Sequence, residues 1–138
     1  MILLDSNVVS ELMRREPDTR VLNWIRRQKT AQLYLTALTV AEIRRGLALL
    51  PEGKRMRDLQ KAFEDFLDKG FDQRILPFTV ETSRVYAPIY HARVKAGPGI
   101  GELDLLIAAI AKQHNAALAT RNISDFEACD LRLINPWQ

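Results

Sequence analysis

The chain is poor in the residues that build disulfide, thiolate or imidazole chemistry. Among 138 residues there is one cysteine, Cys129, and there are two histidines, His91 and His114. A lone cysteine excludes an internal disulfide, a Cys-x-x-Cys redox pair and a thiolate zinc cage. His91 has no Glu or His partner at metal-ligand spacing, His114 falls near a helix carboxyl end where partial positive charge is favourable, and no base stands at a recognisable spacing from Cys129, so all three read as structural. Long apolar runs are also missing. The stretch 103–111 is interrupted by Asp104 and falls far short of the roughly 20 residues a bilayer span requires. The opening Met1-Ile2-Leu3-Leu4-Asp5-Ser6-Asn7 lacks the basic region, long apolar segment and small-residue cleavage site of a secretion signal, so a cytoplasmic location and no membrane partner are expected. Glycine and proline number six each, without repeats or low-complexity tracts, and the length predicts one domain spanning 1–138.

Hydrophobic residues make up 47% of the chain and charged ones 27%, the balance of a folded globular protein. The net charge is +3 and the isoelectric point about 9.2, a modest bias compatible with an anionic partner. Fourteen of the 20 cations are arginine, with pairs at Arg14-Arg15, Arg26-Arg27 and Arg44-Arg45. Arginine grips phosphate with a planar fork that lysine lacks, although each pair alone reads first as a solvated helix face.

Hydrophobic periodicity predicts strands separated by helices. Residues 1–5 form an apolar run ending in an acid, a buried strand whose carboxylate emerges at its carboxyl end. A helix over 7–14 follows, then one opened by Pro17, on which Trp24 reads as a core or dimer contact. Strands are expected at 32–36, 74–78 and 116–120, and a fifth at 132–135. Helices are expected from Thr39 to Leu50, over 54–69, from Thr79 to about Ala96 with a kink at Pro88, and over 102–115. Gly97-Pro98-Gly99-Ile100-Gly101 breaks the chain between the last two. Alternating strands and helices predict an α/β fold, a parallel sheet of four to five strands covered on both faces.

Three acids fall where such a sheet gathers functional groups, at the carboxyl ends of strands and the amino ends of helices: Asp5, Glu42 and Asp104. Structural duties compete for two of them. Glu42 stands three residues after Thr39, the order of a capping box, and Asp104 sits in a first turn that favours acids through the helix dipole. Asp5 is harder to explain away, because burying a carboxylate after four apolar residues costs several kcal/mol unless it is paired, hydrogen-bonded or bound to metal. If the three converge, their repulsion demands a cation, and hard oxygen donors select Mg2+ or Mn2+. Such an ion polarises a phosphate oxygen and lowers the pKa of a water for in-line attack on a phosphodiester. With these three acids set aside, 20 cations face 14 anions, a net +6 suited to a polyanion approaching an acidic cleft across a basic rim. After the fourth strand, Thr120, Asn122 or Asp125 can reach the same crevice, Asn122 orienting water or phosphate through its amide, although the segment also reads as a plain turn.

Taken in order, Ile2-Leu3-Leu4-Asp5-Ser6-Asn7, Thr39-Val40-Ala41-Glu42-Ile43-Arg44-Arg45-Gly46, Asp104 with Ile107-Ala108-Ala109, Thr120-Arg121-Asn122 with Asp125-Phe126, and Asn135-Pro136-Trp137 resemble a PIN-domain ribonuclease of the VapC and FitB kind, the toxin of a type II toxin–antitoxin pair. The resemblance spans essentially the whole chain. It implies a three-layer α/β/α fold and Mg2+- or Mn2+-dependent RNA cleavage, with Asp5 and Asp104 as direct metal ligands and Glu42 completing the site directly or through water. Ser6, Asn7 and Thr120 are implied as supporting hydrogen-bonding residues. The family often carries a fourth acid directly after Thr-Arg; Asn122 stands there instead, so either Asn122 fills the position as a neutral ligand or water anchor, or Asp125 substitutes. The likeness further implies a homodimer, a VapB- or FitA-like antitoxin whose carboxyl-terminal segment lies across the acidic groove, and operator DNA reached only through that antitoxin. Two alternatives stand beside it. One is a catalytically inactive PIN-like module that binds RNA or protein. The other is an aspartyl phosphatase, disfavoured because position 7 is Asn where that chemistry needs a second acid.

Overall fold

The computed structural model describes residues 1–97 and 99–138; Pro98, in the expected chain break, lies outside them. Among the described residues, five parallel strands, β1 (Ile2–Leu4), β2 (Leu33–Thr36), β3 (Ile75–Leu76), β4 (Ala117–Ala119) and β5 (Leu133–Ile134), form one sheet in the order β3-β2-β1-β4-β5. The helices are α1 (Ser6–Leu12), α2 (Thr19–Arg27), α3 (Ala37–Ala48), α4 (Lys54–Gly70), α5 (Val80–Lys95), α6 (Glu102–Gln113) and the short α7 (Ile123–Phe126). From β1 the chain winds outward through β2 to β3, then returns across the sheet through α5 and α6 to β4. The strand order therefore reverses between β1 and β4, where an open parallel sheet leaves a crevice.

Alternation along each strand separates two cores. Leu4, Leu33, Leu35 and Ala119 face one side, where Val8, Val9, Val21, Trp24, Ile43, Phe63 and Leu67 of α1–α4 pack. Leu3 and Leu118 face the other, against Ile89 of α5, Leu105 and Ile107 to Ala111 of α6, Phe126 and Cys129. The result is the expected three-layer α/β/α arrangement, and Trp24 is a core residue. Cys129 is buried and free, and burial raises its thiol pKa, consistent with a structural role. The edge of the sheet is held by Arg74, whose guanidinium donates to the carbonyls of Thr30, Leu33 and Gly70 while lying 5.2 Å from the Phe71 ring centroid.

Several boundaries differ from the sequence reading for identifiable reasons. The helix expected to begin at Thr39 begins at Ala37, because Thr36 leaves the strand in an extended conformation and its hydroxyl accepts from the Thr39 N–H at 3.0 Å. The Thr39–Glu42 capping box is therefore not formed. The second helix starts at Thr19 rather than at Pro17, with the Asp18 carboxylate accepting from the Arg20 N–H at 2.8 Å. Thr79 caps α5 as expected, with Thr82 as its reciprocal partner, and the helix continues through Pro88. The segment after β4 is not only a turn but forms α7 and a 3-10 turn over Glu127–Cys129. At the chain break, Gly97 and Gly99 take φ values of 98° and 143°, which L side chains rarely adopt.

Candidate active site

Asp5 leaves the carboxyl end of β1 and is the N-cap of α1, its carboxylate accepting from the Ser6 N–H at 2.8 Å. The parallel register pairs Leu4 with Ala119, so the next residues along, Asp5 and Thr120, meet at the strand ends. There the Thr120 hydroxyl donates to Asp5 Oδ2 at 2.8 Å. Asn7 ties the corner together: its amide nitrogen reaches Asp5 Oδ2 and Thr120 Oγ1, both at 3.3 Å, and its Oδ1 accepts from the Arg121 N–H at 3.2 Å. An aspartate only 2% exposed is thus held by three donors, and the residue that a phosphatase needs as an acid is here a bridging amide.

Glu42 comes from α3 and Asp104 from the first turn of α6. One carboxylate oxygen from each of Asp5, Glu42 and Asp104 can be chosen so that all lie within 4.8 Å of one another. This proximity is energetically costly. Burial, followed by the charges of Asp5 and Asp125, pushes Asp104 up to about 6. Burial, then Asp5 and Asp104, raises Glu42 against the opposing pull of Arg45 and Ser6. Burial raises Asp5 despite its hydrogen bonds from Thr120, Ser6 and Asn7, with a further contribution from Asp125. Glu42 Oε1 is moreover buried without a hydrogen-bond partner. Three crowded hard-oxygen donors, one with an unsatisfied buried lone pair, form a set that fits a divalent cation.

These acids open into a cleft of about 480 Å³ lined also by Ser6, Asn7, Ser10, Arg14, Arg121, Asn122 and Trp137. Asn122 is exposed on the cleft wall, and its backbone N–H donates to Thr120 Oγ1 at 3.1 Å. Asp125 does not line the cleft, yet its charge reaches Asp5 and Asp104. The structure thus brings together Asp5, Glu42 and Asp104 and places Ser6, Asn7, Thr120 and Asn122 around them, while Asp125 acts on Asp5 and Asp104 through its charge. Ser10, Glu11, Arg14, Arg121 and Trp137 also line the cleft without having been assigned a role from sequence. For Ser10 a signal existed, since it lies one helical turn beyond Ser6 on the same face of α1.

An open parallel α/β sheet with three crowded carboxylates in the cleft at its strand-order reversal is an architecture suited to holding a divalent cation. Residues 2–130 match the PIN domain family, and the chain belongs to it. It is 46% identical over 138 residues to the VapC ribonuclease Y4jK of Sinorhizobium fredii, covering 100% of this chain and 99% of that protein. It is 42% identical over 137 residues to the toxin FitB of Neisseria gonorrhoeae, covering 99% of both. The crystal structure of FitAcB from Neisseria gonorrhoeae superposes with a TM-score of 0.93, covering 100% of this chain and 99% of that one at 42% identity. VapBC2 from Rickettsia felis, bound to a DNA fragment from its promoter, superposes with a TM-score of 0.82 at 26% identity, covering 98% of each chain. No described helix is long and apolar enough to cross a membrane.

Proposed function

We propose that this protein is a metal-dependent endoribonuclease, the toxin of a VapBC-like toxin–antitoxin pair. The observation that supports it most directly is the carboxylate cluster of Asp5, Glu42 and Asp104 within 4.8 Å, with Glu42 Oε1 left without a partner, on a PIN fold. Asp5, Asp104 and Glu42 hold Mg2+ or Mn2+. When bound, the ion supplies Lewis acidity toward a phosphate oxygen and lowers the pKa of a water. The protein groups do the positioning: Ser6 N–H, Thr120 and Asn7 fix the Asp5 carboxylate, and Asn122 orients water or phosphate from the cleft wall. Asp125 tunes the site by charge. The residues around the cleft carry the arginines that receive a polyanion.

The same reading assigns the neighbouring groove. A second cavity of about 900 Å³ continues from Ser6, Ser10, Arg14 and Glu42 along an apolar floor of Met13, Ile43, Leu47, Leu50 and Leu59. Its shape and lining suit an amphipathic helix, and an antitoxin segment seated there blocks the acid cleft by continuity. The chain, 1–138, acts as one domain and as a homodimer in the cytoplasm, and reaches operator DNA only through its antitoxin.

The test is incubation of the purified protein with pooled transfer, ribosomal and messenger RNA, with Mn2+, Mg2+ or chelator, beside Asp5→Asn. Discrete cuts that require metal and vanish in the variant are expected. Absence of cleavage by folded, metal-loaded protein across the whole pool refutes the ribonuclease reading and favours an inactive binding module.

A further inference from the structure

Arg121 stands on the rim of a cleft that holds three carboxylates, yet among the described residues its guanidinium is ion-paired with no carboxylate. A flexible cation beside unneutralised acids is expected to fold onto them. Instead its guanidinium carbon lies 5.0 Å from the centroid of the Trp137 ring. Trp137 is only 5% exposed, and the tail that carries it is fixed: the Trp137 N–H donates to Asn135 Oδ1 at 2.9 Å, and the Thr120 N–H to the Ile134 carbonyl at 2.9 Å. The Arg121 backbone is pinned as well, through its N–H to Asn7 Oδ1. Arg14, the other arginine lining this cleft, differs in that both oxygens of Glu11 sit 3.3 to 3.4 Å from its Nη1.

Resting on the ribonuclease reading, we infer that Arg121, held over the Trp137 indole, binds an RNA phosphate next to the one that is cut. A guanidinium engaged by an aromatic ring keeps its in-plane N–H donors, and those donors match a phosphate as a bidentate fork. The indole keeps this cation out of the acid cluster, which leaves the carboxylates for the metal and sets a second anion-binding point at a fixed place on the rim. RNA is then held at two points, the metal and Arg121, and its backbone is oriented before the reaction.

Binding of a 5′-labelled single-stranded RNA that the protein cuts is followed by fluorescence anisotropy in an Asp104→Asn background, across a series of NaCl concentrations. Adding Arg121→Gln should weaken binding roughly five- to tenfold near 0.1 M salt and reduce the slope of log K against log salt by about 0.7, the loss of one single-strand phosphate contact. Arg121→Lys should keep the slope and recover part of the affinity. In the otherwise wild-type enzyme, Arg121→Gln should act chiefly on KM. Trp137→Phe, which keeps a smaller ring under the guanidinium, should give a weaker version of the same change. An unchanged slope with an unchanged KM, while wild type cleaves, overturns the inference and leaves the ribonuclease reading intact. A loss confined to kcat with an unchanged slope also overturns it. Failure of wild type to cut any RNA removes both.

Discussion

Asp104→Asn should make the metal-free protein more stable while abolishing cleavage. The Asp104 carboxyl, ordinarily near 3.8, titrates near 6 in the folded chain because it is partly buried and faces Asp5 and Asp125. The folded state therefore holds the proton more tightly than the unfolded state, and ionisation opposes folding. Stability is greatest below the unfolded value, falls as pH rises through the interval to about 6, and then stays low. At about 1.36 kcal/mol per pH unit the ceiling is about 3 kcal/mol. The side chain is only half-buried, so solvent screening reduces this to roughly 1–2 kcal/mol. For a chain of this size that is a rise in Tm of roughly 3–8 °C. The measurement is thermal unfolding of both proteins in chelator from pH 4 to pH 8. The variant's advantage should be full above about pH 6.5, shrink as pH falls and disappear near the ordinary carboxylate value. Saturating Mn2+ should reverse the order, since about 2.7 kcal/mol accrues to wild type at a hundredfold excess over Kd. An Asp104→Asn protein that melts at or below the wild-type temperature in chelator at pH 8 refutes the argument from burial and repulsion.

Asn122→Asp should tighten Mn2+ binding about tenfold by calorimetry, about 1.4 kcal/mol, and lower the metal-free Tm; unchanged binding counts against Asn122 as part of the site. Phe126→Ala removes a side chain with no exposure from the α6–α7 core and should cost about 3–5 kcal/mol, read as a lower urea midpoint at constant m-value. Arg74→Ala strands the carbonyls of Thr30, Leu33 and Gly70 and should cost about 1–3 kcal/mol, with faster amide exchange at Leu35 beside them. Arg74→Lys should recover only part of that loss, since one ammonium cannot span three acceptors in a planar fork.

The alternation of apolar strands with helices made the layered parallel sheet legible, because β1, β2 and β4 are short, largely buried apolar runs while helices such as α2 and α4 bury one face and expose the other. Strand order was not legible, since the helices report that a strand is covered but not which strand lies beside it. Asp5 was conspicuous for a physical reason, a charge placed where an apolar run ends. Glu42 was ambiguous because Thr39 offered it a capping role. Thr36, which turns out of the strand, is the N-cap instead and Thr39 stands at its N3 position, so Glu42 has no capping role and is free for the cleft. The Arg121–Trp137 pair had no local signal, because the two residues meet only after β5 brings the tail back beside β4.

Site and sheet are coupled through one register. Leu4 opposes Ala119, the Asp5 N–H donates to the Ala119 carbonyl at 2.9 Å, and the Thr120 hydroxyl therefore lies within reach of the Asp5 carboxylate. A slip by one residue would turn Leu3 and Leu118 out of the α6 core and separate Asp5 from Thr120. The apolar contacts on the two faces thus enforce the alignment that the carboxylates oppose. Without a cation, the raised pKa values of Asp5, Glu42 and Asp104 mean that burial of the carboxylates, and after it their charge repulsion, acts against that alignment. If the three carboxylates hold a divalent ion as proposed, they would become a link between β1, α3 and α6. Metal binding should therefore protect the amides at the ends of β1 and β4 from exchange more than those at the β3 edge.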